Sequence, residues 1–526
     1  MSASPRLAGT LPAVLRATYE RHADAPALWH DGRWLSFAET ARVAAGIRAV
    51  LAERGAGPGD RVVVHLGNGV TARLVDQALL GHGLVRVAVS ARLHVREVAA
   101  IAADSRAAVV CGDTGEVAQL RAALREVGSA AVVLGLDPDQ PPDGSSASDE
   151  PTAPGRLHDD DVAMLMYTSG TTGDPKAAVV TQGAWAARTR ASLALLPRLT
   201  EADTVVLAAP MAHFAGSVAL DCLTQGARTV VAPRFDADAV LDLVQAHDGT
   251  VVPLVPVLLA RLVDAAVRRP TAGGSLRSLP YGGSAVGTDT LVRASRRFPG
   301  TLTQFYGLAE ALAPLTVLTP EEHDAAAEAL VAGGPDVAWA RGRLASAGRF
   351  VDGVRHRVDD GELAVRGPAV MPGYWGRPDL DAEVLRDGWF ATGDRASIDD
   401  DGYLRLAGRG ADAIASGGFT VHPREVERVL ERVTGVADVA VAGVPDPRWG
   451  EAVHAFVVVD QDGPLRDPEV LAAALRDACT AAIASYKKPR QIHVRATLPR
   501  NHHGKVDRRA LRASVEPEPV SEENDS

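Results

Sequence analysis

The chain has 526 residues, of which 46% are hydrophobic and 23% charged. It is too long for one hydrophobic core and too apolar to be disordered or collagen-like, so roughly two to four domains or subdomains are expected. With 55 basic against 66 acidic residues the net charge is −11, which gives nucleic acid no bulk attraction, and no local basic patch offsets it.

The N-terminal segment MSASPRLAGTLPAVLRATYERHADAP lacks a long apolar stretch, so no signal peptide is expected. Short β-branched runs at 61–66, 108–111, 131–136, 204–208 and 228–232 read as strands. Segments of helical apolar spacing, including 71–80, 116–127 and 237–246, lie between such runs. This alternation predicts parallel α/β sheets. Residues 137–156, rich in Pro, Ser, Asp and Gly, read as an exposed loop or a join between subdomains. The longest uncharged run, 204–220, contains Pro210 and His213 and is too short and broken to span a membrane.

A second compact unit begins near Gly408. It is expected to hold a helix at 424–432, strands at 436–443 and 453–459, a helix at 468–484 and a short strand near Ile492. The expected boundaries are 1–407 for the large domain, 408–514 for the small one and 515–526 for an acidic disordered tail.

Cys111, Cys222 and Cys479 are scattered and odd in number. They make neither a metal spacing nor a disulfide framework, and read as free thiols in a reducing cytoplasm. The basic residues are biased: 51 are arginine and only four are lysine, namely Lys176, Lys487, Lys488 and Lys505. A compact ammonium and a planar guanidinium are not interchangeable in a tight site. Lys176 and Lys505 therefore stand out, while the adjacent Lys487 and Lys488 are as readily chance survivals.

Residues 164–176 read MLMYTSGTTGDPK. An apolar strand runs into small and hydroxyl residues and then a lysine. Small residues let backbone N–H groups approach an anion; the hydroxyls of Thr168, Ser169, Thr171 and Thr172 add donors, and Lys176 adds charge. This is the chemistry of a phosphate cradle. It is not the G-x-x-x-x-G-K-[ST] loop, because Pro175 and Ala177 stand where that pattern wants glycine and a hydroxyl. The competing reading is a flexible polar loop.

The segment resembles the signature loop of the adenylate-forming superfamily, which includes acyl-CoA and aryl-CoA synthetases, stand-alone adenylation domains and luciferases. Further blocks resemble that family in order: PMAHFAG at 210–216, YGGSA at 281–285, QFYGLAEAL at 304–312, ELAVRGPAVMPGYW at 362–375, WFATGD at 389–394, GRGADAIASGGFTVHPREVE at 408–427 and PRNHHGKVDRRAL at 499–511. The resemblance implies an α/β fold, with doubly wound sheets and a small barrel in a large N-terminal domain and a small mobile α+β C-terminal domain. It implies that Thr168, Ser169, Gly170, Thr171, Thr172, Gly173 and Lys176 hold the ATP phosphates. Gly283, Ser284, Tyr306, Gly307 and Ala309 would face the nucleotide, with Tyr306 stacked on adenine. Asp394 would take the ribose hydroxyls, and Arg409 ribose or phosphate. His213, Phe214, Ser217, Gly282 and Leu308 would line the acid pocket.

The residues have physical readings of their own. A carboxylate such as Glu310 near three phosphates is a natural Mg²⁺ ligand, since magnesium keeps most of its waters; alone, Glu310 would read as a surface residue at a helix start. Asp394 follows a glycine and could accept two ribose hydroxyls, as acidic ligands do in dinucleotide sites, or simply end a turn. By the resemblance, Lys505 bridges the acyl carboxylate and the α-phosphate, where a preorganised cation is worth about 10²–10³ in rate. His213 is either a satisfied core residue or a gate at the acid pocket, drawing on an imidazole's ability to change state near neutrality.

Two departures from the family pattern matter. Ala309 stands where many relatives have threonine, and Ala411 stands where relatives carry Lys or Asp as the pivot of the small domain. Segment 349–361 is also short. The expected function is ATP-dependent activation of a carboxylic acid to an acyl-AMP, with release of pyrophosphate, then transfer to coenzyme A. An amine or a small nucleophile such as nitrite is the alternative acceptor, and a binding-only protein a further one that retention of Lys505 opposes. The expected protein is a cytoplasmic monomer or homodimer without nucleic-acid or membrane partners.

Overall fold

The computed structural model describes residues 9–142, 157–169, 175–409, 413–459, 468–500 and 506–515. The chain divides into two compact units at residues 408 and 409; the second also takes in residues 92–97 and 169–175.

The larger unit holds a six-stranded sheet in the order Val132–Leu136, Val109–Asp113, Arg61–His65, Val85–Ala88, Val162–Ser169 and Pro175–Thr181. The pairs linking its first five strands are parallel. A parallel sheet covered on both faces wants unbroken apolar strands, and Val62, Val63, Val109 and Val110 are all fully buried. Helix Phe37–Glu53 contributes Ala44, Ile47 and Leu51 to the same core as Val62 and Val64. Its start is fixed by a capping box in which Ser36 and Glu39 each satisfy the other's backbone N–H.

A five-stranded sheet runs Gly249–Val251, Thr204–Leu207, Arg228–Val231, Pro26–His30 and Arg33–Ser36. It is parallel except for the last pair, a hairpin. Asp31 and Gly32 make that turn with φ of 46° and 76°, the left-handed pair that a tight hairpin needs. A third sheet pairs Leu279–Gly282 parallel to Leu302–Tyr306, then adds Thr316–Leu318 and Arg349–Phe350 antiparallel.

The strands Arg355–Asp359, Glu362–Arg366, Trp389–Ile398 and Leu385–Arg386, with Leu404–Arg409 beside Trp389–Ile398, form the half-barrel. Its pairings from Arg355 to Trp389 are antiparallel. The expectation of parallel sheets therefore holds only for part of the unit. Parallel strands need a crossover of a dozen or more residues, and the connection from Asp359 to Glu362 is far too short for one. The architecture is mixed α/β, with doubly wound sheets and a half-barrel.

The second unit has a sheet ordered Phe419–Val421, Ile414–Ser416, Gly450–Val459 and Val436–Asp446, with Gln491–Arg495 parallel to Gly450–Val459. The strands expected at 436–443 and 453–459 are longer than expected, because their pairing continues down to Asp446 and Gly450. Asp446 Oδ1 organises the turn by accepting the N–H groups of Arg448 and Trp449, each at 2.8 Å. Helices Pro423–Leu430 and Pro468–Ala482 close a core of Ile414, Val426, Leu430, Val441, Val457 and Leu475.

All three cysteines are free and buried. Burial pushes the Cys111 thiol up to about 12 and the Cys479 thiol up to about 11. Among the described residues no helix is long and apolar enough to cross a membrane. Most of the expected loop at 137–156, namely 143–156, lies outside the described residues, as do residues 516–526 of the expected tail and the altered hinge residue Ala411.

Candidate active site

Strand Val162–Ser169 carries the site's first element. Its middle, from Ala163 to Leu165, is buried in the sheet, and its end delivers hydroxyl residues. Thr168 Oγ1 is buried, with no hydrogen-bond partner among the described residues. A buried hydroxyl left unsatisfied costs roughly 1–3 kcal/mol, which suits a position awaiting a polar ligand. Gly170, Thr171, Thr172, Gly173 and the side chain of Ser169 lie outside the described residues.

The chain returns through strand Pro175–Thr181, which presents Lys176. Lys176 Nζ donates to the Tyr374 hydroxyl at 2.7 Å, and that hydroxyl donates to Glu310 Oε1 at 2.9 Å. The ammonium lies 3.9 Å from the same carboxylate oxygen and 4.2 Å from the centre of the Tyr374 ring. Glu310 is buried in a bend after strand Leu302–Tyr306, so it is neither on a helix nor at the surface. Its carbonyl accepts the Met371 N–H at 2.8 Å. Ala309 beside it is half-buried and offers no hydroxyl.

Tyr306 and Asp394 meet on the same unit. The Tyr306 hydroxyl donates to Asp394 Oδ2 at 2.5 Å. Asp394 is buried, and its N–H is taken by Thr392 Oγ1 at 3.1 Å. The preceding Gly393 has φ of 73°, a left-handed conformation that glycine adopts without strain. Asp394 thus sits within strand Trp389–Ile398 and does not merely end a turn. Arg409 ends strand Leu404–Arg409; its side chain, and Lys505 entirely, lie outside the described residues.

The segment 208–216 is held from two sides. Asn68 donates from Nδ2 to the Ala209 carbonyl at 2.9 Å and accepts the Met211 N–H at 3.1 Å. Arg86 grips Asp76 through two hydrogen bonds of 2.6 and 2.9 Å, and reaches the Met211 carbonyl at 3.4 Å. Gly216 is required here, because a Cβ would lie 2.0 Å from the Met211 carbonyl oxygen. His213 and Ser217 are joined by a backbone hydrogen bond of 3.1 Å.

Phe214 packs edge-on against Phe305, with ring centres 6.1 Å apart. Gly282 is buried between them: a Cβ would lie 2.5 Å from the Phe305 carbonyl oxygen and 3.3 Å from the Phe214 ring. Gly307 is equally tight, with a Cβ 2.5 Å from the Ala313 nitrogen. Leu308 is half-buried, and Gly283 and Ser284 are exposed.

His213 is exposed to solvent. Desolvation by the protein around it first, and the Arg86 guanidinium second, push its pKa below the ordinary histidine range.

Asn68, Arg86 and Tyr374 were not singled out from the sequence. Tyr374 lies within the GYW block, whose aromatic after a glycine was its only signal. Nothing local marks Asn68.

Residues 15–375 match the model of the AMP-binding enzyme family, and residues 425–505 that of the AMP-binding enzyme C-terminal domain. Feruloyl-CoA synthase of an Amycolatopsis species is 38% identical over 504 residues, covering 94% of this chain and 96% of the relative. Amide bond synthetase McbA from Marinactinospora thermotolerans has a similar structure, with a TM-score of 0.81 and 29% identity over 95% of this chain and 99% of that one. The o-succinylbenzoate CoA synthetase MenE from Bacillus subtilis superposes with a TM-score of 0.80 and 26% identity, covering 96% and 99%. These relationships point to acyl- or aryl-CoA ligase activity more strongly than to an amide synthetase. On its motifs, its site geometry and these matches, the chain belongs to the AMP-binding enzyme family of AMP-forming acid ligases.

Proposed function

We propose that the protein activates an aryl carboxylic acid with ATP and passes the acyl group to the thiol of coenzyme A. In the first step a carboxylate oxygen attacks the α-phosphorus of ATP. The bond to pyrophosphate breaks, and an acyl-AMP forms. In the second step the thiol sulfur attacks the acyl carbonyl, the bond to AMP breaks, and the thiol proton passes to solvent.

The observation that carries the activation half is the Lys176–Tyr374–Glu310 cluster, whose lysine stands on strand Pro175–Thr181 just after the hydroxyl-rich segment. Charge on a transferring phosphoryl group is stabilised by preorganised cations and donors. Lys176 supplies the ammonium, and Thr168 a hydroxyl without a partner among the described residues. Glu310 is the residue that would hold Mg²⁺. Among the described residues no group of three or more His, Cys, Asp or Glu side chains could bind a metal, and one carboxylate fits an ion held mainly by water and phosphate. Bound there, the ion would offset polyphosphate charge. Asp394 takes the ribose, and Lys505 serves the reacting carboxylate by resemblance.

The aryl preference is supported by the Phe214–Phe305 pair around Gly282 and by the similarity to feruloyl-CoA synthase. The likeness to amide synthetase McbA makes an amine the second acceptor to test. The experiment is pyrophosphate release against a panel of hydroxycinnamic, benzoic and aliphatic acids, each with and without coenzyme A. Turnover with an aryl acid, raised by coenzyme A, is expected. Acid activation indifferent to coenzyme A would overturn the thioester step and turn the search to amines.

A further inference from the structure

The Lys176 ammonium and the Glu310 carboxylate lie 3.9 Å apart and largely buried, about 1 Å beyond a direct charge-assisted hydrogen bond. Water is scarce there, so attraction between them is strong. If they closed on each other, each charge would be spent on its neighbour. The Tyr374 hydroxyl prevents this. It has one proton and lone pairs to spare, and it uses both kinds: it accepts from Lys176 at 2.7 Å and donates to Glu310 at 2.9 Å.

The position of Tyr374 is set by the fold and not by its charged partners. Its backbone bridges antiparallel to Ala178 in the Lys176 strand. On either side, the Gly373 carbonyl accepts the Val179 N–H at 3.1 Å, and the Trp375 N–H reaches the Ala177 carbonyl at 2.9 Å. The Tyr374 N–H is taken by Asp381 Oδ1 at 2.7 Å. A Cβ at Gly373 would lie 2.5 Å from Asp381 Oδ2, so a side chain there would displace the carboxylate that holds the Tyr374 N–H. The ring is buried with Ala178, Ala311, Leu315 and Met371.

We infer that Tyr374 is a positioning residue of the activation step: its anchored hydroxyl holds the Lys176 ammonium and the Glu310 carboxylate apart, so that one stays directed at phosphate and the other at its cation. This rests on the proposed ATP-dependent activation. Tyr374 itself need not touch substrate.

The test is a double-mutant cycle on the full-length protein, read by calorimetric titration with MgATP. Tyr374→Phe keeps the ring and its packing and removes only the hydroxyl. It should weaken MgATP binding about tenfold, with a melting temperature within about 2 °C of the parent. In the Glu310→Gln background the lysine has no carboxylate to close on. There the same change should cost less than about twofold, because coupled residues are non-additive. An equal loss in both backgrounds would mark Tyr374 as merely structural, and no loss in the parent would also overturn the inference. Acid-dependent exchange of pyrophosphate into ATP is run in parallel. If the parent binds MgATP but activates no acid, the proposed function falls while the cycle still decides the role of Tyr374.

Discussion

The Tyr306 hydroxyl donates to Asp394 Oδ2 at 2.5 Å across 88 residues of sequence. An aromatic proposed to stack on adenine and a carboxylate proposed to take the ribose are thereby fixed to each other. A hydrogen bond to a charged group contributes about 1.5–3 kcal/mol. Tyr306→Phe should therefore raise KM for ATP about tenfold while leaving KM for the acid within about twofold. Steady-state kinetics with each substrate varied in turn checks this. Equal rises in both constants would contradict an adenosine-specific role.

Gly282 separates two aromatic rings and a backbone carbonyl. Gly282→Ala places a methyl 2.5 Å from the Phe305 oxygen, and overpacking of this kind costs about 1–3 kcal/mol. The melting temperature should fall by several degrees, and KM for the acid should rise more than KM for ATP. An unchanged KM for the acid would place the acid pocket elsewhere.

His323 predicts an acid limb of stability. The residue is fully buried, with Nδ1 donating to the Thr319 carbonyl at 2.7 Å and Nε2 lying 2.8 Å from the Tyr281 hydroxyl. Burial depresses its pKa from 6.5 to about 4. Between those values the unfolded chain binds the extra proton, so stability rises with pH. The contribution is complete above about pH 6.5, falls through the window, and is lost near pH 4, amounting to about 3 kcal/mol. Denaturant titrations from pH 7 to pH 4 should show this slope, and His323→Phe, although less stable overall, should lose that share of it.

Lys487 is a further prediction, for the smaller unit. The sequence left it indistinguishable from Lys488, but it is buried, with Nζ 2.5 Å from Glu425 Oε2. Glu425 also forms the capping box of helix Pro423–Leu430. Removing one partner of a buried pair costs about 3–5 kcal/mol, so Lys487→Met should lower the melting temperature of this unit markedly. Lys488 is only half-buried and donates to Thr480 Oγ1 at 3.2 Å. Lys488→Met should cost less than about 1 kcal/mol.

The motifs announced the family because phosphate chemistry restricts which residues can stand beside an anion, and such restrictions are local. Thr168 and Lys176 stood out as candidates in this way, while Glu310 and Asp394 were singled out through the resemblance. Their partners were not. Tyr374 reaches Lys176 across 198 residues and Glu310 across 64, and Asn68 reaches Met211 across 143. No periodicity encodes such pairings; the fold makes them. The parallel strands were readable from their unbroken apolar runs. The small barrel was expected only from the resemblance, since its exposed strand Arg355–Asp359 carries mostly charged residues and shows no apolar alternation.

The central claim is that this chain joins a carboxylate to AMP. The most direct test uses the acid selected by the panel, labelled with heavy oxygen in both carboxylate positions, and follows the label by mass spectrometry. Attack of that carboxylate on the α-phosphorus predicts one labelled oxygen in the phosphate of the released AMP. Unlabelled AMP, or label appearing in inorganic phosphate with ADP as product, would contradict adenylation and with it the account given for Lys176, Glu310 and Tyr374.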